Sequence, residues 1–273
     1  MGYRNYEMTD EFKFVKGSKV FRIRALQDIY SDGYVIKKGE LGGFIEKEDN
    51  LAQQGGCWVG RNGVVKDNAR VDRGALVTDN AIVEHNAKIS GYAKIGGRAN
   101  IYADAQVNSN AVVADDATVG GKAIISACAK VLNHASVGGA VKMFDYAVVA
   151  ENAVLINNPI LSGYSRVDGK AHIGGNAFID ENAHISDNVL VTDNACIGGN
   201  AQLFDDVYVC DNGIVKGDSI LRNTVCVAGH AVVDNQELNG NLTVMSPPHP
   251  RDKKKINKKL QIKSNDDTID LIL

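Results

Sequence analysis

The chain has 273 residues, 44% hydrophobic and 23% charged, with a formal net charge of −3. That balance is globular and excludes a polybasic nucleic-acid binder or a disordered acidic chain; with no apolar run approaching the length of a bilayer-spanning helix, it also excludes a helical membrane span. Charge is unevenly spread: residues 1–56 carry nine basic and nine acidic groups, 57–245 fourteen and twenty, and 246–273 seven and four.

The polar start, Met1 to Lys13, does not read as a secretory leader, so a cytoplasmic protein is expected. Lys19–Leu26 alternates like a strand, and Gly33–Glu40 reads as a second strand with a turn, so residues 1–56 are expected to form a β cap. Within and just after them stand Gly39-Glu40-Leu41-Gly42-Gly43-Phe44-Ile45, Asn50-Leu51 and Gln53-Gln54-Gly55-Gly56-Cys57-Trp58-Val59. These residues resemble the opening of the YdcK-like family, bacterial and phage-encoded proteins often labelled hexapeptide transferases. The resemblance implies a fold rather than an activity.

From residue 57 a six-residue period takes over. Stepping by six from Val59 meets Val, Ile, Leu or Met at thirty consecutive stops, ending at Val233, with no insertion or deletion. Two residues before each stop is a small or compact residue, usually Ala, as in Ala69, Ala75, Ala81 and Ala87. Asn, Asp or Gly cluster just before it. Strand alternation points the aliphatic residue and the small one to the same inward side. The chain then turns at residues that tolerate left-handed angles. An α-helix has no use for a period of six. Three strands per 18-residue coil give a prism with three inward aliphatic columns and ten regular coils. One column is Val59, Val77, Ile95, Val113, Val131, Val149, Val167, Ile185, Leu203 and Leu221.

This pattern resembles the hexapeptide-repeat family, which implies an all-β, single-stranded left-handed parallel β-helix. The hand comes from the resemblance, because parallel crossovers are ordinarily right-handed. The expected organisation is a cap over 1–56, the β-helix over 57–245, and a linker with a basic and apolar tail over 246–273. Register breaks after Val233, and Leu238, Leu242 and Val244 are expected in one more irregular strand. Pro247-Pro248-His249-Pro250 reads as a stiff linker, the lysine-rich stretch after it as a solvated tail, and Ile269–Leu273 as an apolar terminus.

Two surface features follow from 18-residue stacking. The outward slot before the third column reads Arg70, Lys88, Gln106, Ile124 and Lys142, then Ile160, Phe178, Cys196, Ile214 and Val232. The last five form an apolar stripe that water-exposed β-faces avoid, so either a second subunit or the chain's own terminus is expected to cover it. Tyr92, Tyr146 and Tyr164 share a corner slot, with Phe144 beside Tyr146, and suggest an aromatic ridge for a protein partner.

Catalytic signals are sparse. Many hexapeptide β-helices are acyltransferases, and that resemblance implies a histidine base, an acyl-CoA donor and a loop interrupting the repeat. No interruption occurs between 59 and 233. Of six histidines, His134, His172 and His184 are the candidates if the protein is an enzyme. His172 and His184 are expected outward on different faces, and His134, like His85 and His230, at a corner. The family's zinc-dependent carbonic anhydrases need three converging histidines, which these spacings do not supply. The five cysteines are odd in number and lack metal-ligand spacing, so reduced thiols and no metal or other cofactor are expected. The resulting expectation is a non-catalytic structural or protein-interaction scaffold that self-associates through its apolar face, with no membrane or nucleic-acid partner. The alternative is an acyltransferase-like enzyme.

Overall fold

The computed structural model describes residues 4–31, 33–246, 260–264 and 268–271. It is an all-β parallel solenoid of about eleven turns, so the fold class read from the repeat holds. Among the described residues the one helical segment is a 3-10 turn at Glu48–Asn50. The chain divides into two compact units, Met1–Tyr146 and Ala147–Leu273.

In the first unit the cap contains β1 (Tyr6–Val15), β2 (Ser18–Ala25), β3 (Ile29–Ser31), β4 (Tyr34–Ile36) and β5 (Leu41–Ile45). β1 pairs with β2 and β2 with β5, both antiparallel; β5 then pairs in parallel with Val64–Val65, the start of the coil. From Tyr6 onward the N-terminal stretch is therefore part of a strand. Gly33–Glu40 contributes only the short β4, paired with β3 as a hairpin.

The glycine-rich motif explains itself at this joint. A Cβ on Gly42 would strike the Val59 carbonyl oxygen, and one on Gly43 the Gly63 carbonyl oxygen. Asn50 is fully buried; its amide donates to the Asp67 and Ala69 carbonyls while its Oδ1 accepts from the Glu46 and Lys47 N–H groups. Gln53 Oε1 accepts from the Asn5 and Tyr6 N–H groups. These residues fasten the cap to the coil and supply no reacting group.

The remaining strands of the first unit are two-residue segments stacked in parallel at 18-residue steps. Trp58–Val59, Leu76–Val77, Lys94–Ile95, Val112–Val113 and Lys130–Val131 are one stack. The second unit repeats this, with Val148–Val149, Arg166–Val167, His184–Ile185, Gln202–Leu203 and Ile220–Arg222 in one sheet. All thirty aliphatic stops are buried, none more than 1% exposed. The alanines two residues earlier are buried with them, and at a few turns the same inward slot holds a second buried branched residue, as at Val189, Val207 and Val225.

The corners refine the expectation. The left-handed residue is always the second after the aliphatic stop, as at Asp67, Asp79, Gly97, Asp115, Gly175, Asp193 and Asp211. At many corners its carboxylate also accepts the N–H of the left-handed residue one coil on: Asp67 from His85, Asp115 from Asn133, Asp211 from Gly229. The asparagines mostly occupy the next slot, where their work is done by the side chain. Asn158, Asn176, Asn194 and Asn212 pass amide hydrogen bonds from coil to coil.

Past Val233 the coil does not end in one irregular strand. Glu237–Asn239 pairs in parallel with Ile220–Arg222, and Leu242–Ser246 with Cys226–Gly229. The pairing offset shortens by one: Lys216 still meets Asp234, a full coil on, but Leu221 meets Leu238. A single position is thus deleted at the corner while the stack continues. Leu260–Ser264 then adds antiparallel to Leu242–Ser246, and Thr268–Leu271 adds to Leu260–Ser264. The proline linker and most of the lysine run lie outside the described residues.

Candidate functional site

In the second unit, Ile160–Leu161, Phe178–Ile179, Cys196–Ile197, Ile214–Lys216 and Val232–Asp234 form one parallel sheet. Alternation buries Leu161, Ile179, Ile197, Val215 and Val233 and turns Ile160, Phe178, Cys196, Ile214 and Val232 outward, in direct register. Phe178 and Val232 are 38% and 39% exposed, and the other three are half-buried. Burial, then Asp180 and Glu181, push the Cys196 thiol above its ordinary value, so it stays neutral and behaves as an apolar group. The Asn158–Asn212 ladder flanks the stripe on one side. On the other stand Ser162, which donates to Asp180, then Gly198, then Lys216 paired with Asp234 at 3.2 Å.

The described tail strands belong to the sheet containing Leu242–Ser246, which is a different sheet from the stripe's. The equivalent slot in the first unit is polar apart from Ile124, and Arg70, Lys88 and Gln106, with Asp72, Ser90 and Asn108, line a groove of about 110 Å³.

Tyr92, Tyr146 and Tyr164 are exposed, and Phe144 is half-buried. Tyr92 lies over Gly74, whose absent Cβ makes room for the ring. Phe144 and Tyr146 belong to the first unit and Tyr164 to the second.

The histidines separate clearly. His134 is exposed at its corner, with Nδ1 3.6 Å from Asp116. His172 points outward and is exposed, in a different sheet from His184. His184 is half-buried, its Nε2 lying 3.3 and 3.4 Å from the two oxygens of buried Asp168. Its ring meets Phe204 edge-on at 5.6 Å, and Arg222 lies over the Phe204 ring. Burial pushes the Asp168 carboxyl up, but hydrogen bonds from Ser186 and Arg166, with the charges of Arg166 and His184, outweigh it and leave the carboxyl below its ordinary value. Sequence reasoning named His184 and missed Asp168. The available signal was its place just after Val167, one coil back from His184 and diagonally adjacent to it.

Asp193, Cys210 and Asp211 bring three ligand-type atoms within 4.8 Å of one another. Each carboxylate already accepts a corner N–H, Asp193 from Asp211 and Asp211 from Gly229, so the corner ladder accounts for both.

Repeat, burial and corners define a hexapeptide-repeat β-helix whose second unit carries one apolar face. No family model and no curated protein sequence matches the chain. Twenty-one solved chains match it. One is a UDP-N-acetylglucosamine acyltransferase from Campylobacter jejuni, at 16% identity and a TM-score of 0.26, covering 81% of this chain and 74% of that one. At that score the likeness carries no inference about activity.

Proposed function

We propose that the protein is a non-catalytic structural or protein-interaction scaffold of the YdcK-like, bacterial or phage type, working in the cytoplasm as a homo-oligomer. The observation that supports it is the in-register column Ile160, Phe178, Cys196, Ile214, Val232, apolar without a break and set between polar borders. Such a core-and-rim arrangement is the anatomy of a protein interface, and on a flat β-face it is an aggregation hazard when left bare. Tyr146 and Tyr164 are secondary candidates for contact with another protein. Sedimentation velocity tests the reading: the wild type should form oligomers and Phe178→Glu monomers. A wild type that is monomeric at every concentration rejects it.

One observation favours a second reading. His184 is an imidazole held by a buried carboxylate, the arrangement of a general base, and it would serve an acyltransferase using an acyl-CoA donor. A bound acyl-CoA should then raise the melting temperature of the wild type and its His184→Ala variant alike, with transfer activity lost only in the variant. No thermal shift with any acyl-CoA rejects this reading.

A further inference from the structure

We propose that two copies of this chain meet face to face and antiparallel across the apolar sheet, about a two-fold axis lying along the strand Cys196–Ile197. This rests on the self-association proposed above and specifies its geometry.

The extent of the stripe sets the centre. Its five residues step from coil to coil, so the middle one, Cys196, falls on the axis and the others pair about it. Phe178 meets Ile214 of the second copy, and Ile160 meets Val232. The same operation acts on the neighbouring outward column of Ser162, Asp180, Gly198, Lys216 and Asp234. It sets Asp180 of one copy opposite Lys216 of the other, twice, and Ser162 opposite Asp234. On the far border, Asn176 meets Asn212 and Asn194 meets itself, pairs of amides that can both donate and accept. One rotation thus matches apolar with apolar, acid with base and amide with amide.

A parallel arrangement with the axis along the stripe does worse. It stacks Phe178 on Phe178 and sets Asp180 and Lys216 each against an asparagine, so neither charge meets an opposite one on the other copy. Gly198 adds a second observation. A Cβ there would meet nothing closer than Glu181 Oε2 at 3.7 Å, so packing inside the chain does not demand a glycine. Beside Cys196 on the axis, it leaves bare backbone where the two faces come nearest.

The stripe spans four inter-strand steps, about 19 Å. A patch of that size predicts a dimer that dissociates on dilution, since permanent interfaces are larger.

Thiol cross-linking of the full-length protein tests the geometry without disturbing the face. Cys57 and Cys210 are buried; Cys128 and Cys226, half-exposed, are replaced by Ser. In that background a short bis-maleimide should yield covalent dimers through Cys196, and Cys196→Ser should abolish them. Sedimentation across a dilution series provides the second arm. Lys216→Glu alone and Asp180→Lys alone should each weaken the dimer about tenfold, and the double variant should recover most of the loss. Rescue is the signature of a contact between copies, because within one chain Lys216 pairs with Asp234 and Asp180 with Ser162. A wild type monomeric throughout overturns both this inference and the self-association beneath it. An oligomer that Phe178→Glu dissolves, yet that shows no Asp180/Lys216 rescue, overturns the antiparallel axis alone, even if Cys196 cross-links, because the parallel arrangement also sets Cys196 against Cys196. A trimer does the same.

Discussion

Ser165 occupies an inward slot two residues before Val167, where most turns of the coil carry alanine, and replacing it by alanine should stabilise the protein. Its side chain is fully buried and its hydroxyl oxygen has no hydrogen-bond partner. Its backbone N–H is satisfied separately by the Ser162 carbonyl, so the substitution touches the hydroxyl alone. An unpaired buried hydroxyl costs about 1–3 kcal/mol, and alanine removes that cost while leaving almost no cavity. For a chain of this length each kcal/mol moves the midpoint by about 2–4 °C, so a gain of about 1–2 kcal/mol raises it by roughly 2–8 °C. Ser219 provides the control. It sits in the same kind of slot and is equally buried, but its hydroxyl donates to the Lys216 carbonyl at 2.6 Å and accepts from the Gln236 N–H at 3.3 Å. Ser219→Ala should lower the midpoint by the loss of about 1 kcal/mol. Calorimetric melts of the two variants beside the wild type decide the matter. If both shift in the same direction, the burial of an unsatisfied hydroxyl is not what distinguishes the sites.

Two further outcomes follow from the same packing. Val149 is fully buried in its column, and Val149→Asp should cost more than about 4 kcal/mol by burying a charge with no partner; retention of near wild-type stability in urea melts would contradict the inward column. Asp168 has a folded pKa below its ordinary value, so its contribution is present above the ordinary carboxylate range, near pH 4, and is lost as pH falls through the lower folded value. The stability gap between wild type and Asp168→Asn, read from urea melts at successive pH values, should therefore be widest above that range and shrink below it; a gap independent of pH would refute the ion-paired carboxylate.

The apolar face was legible before any coordinates because stacking at a fixed step of three units turns sequence positions into neighbours. Ile160, Phe178, Cys196, Ile214 and Val232 are adjacent for no other reason than their spacing. Phe178 and Val232 being exposed follows from strand alternation alone. The Asp168–His184 pair was half legible. Its histidine is a residue type that draws notice, whereas its acid is one of many outward acids, and only burial with Arg166 and Ser186 distinguishes it.

The period of six by itself determined the coils, the three inward columns and the side each residue faces, since a pattern of period two within a unit and three units per turn leaves each side chain no other place. Tertiary structure decided the ends and the corners. β1 mixes charged residues with Tyr6, Met8, Phe12, Phe14 and Val15, and it is a strand because β2 offers it an edge to pair with. The coil runs on past Val233 because a corner can lose one residue while the strands on either side keep their register. Gly42 and Gly43 are glycines because two chain segments cross there too closely for a Cβ, a distance fixed by packing and invisible along the sequence.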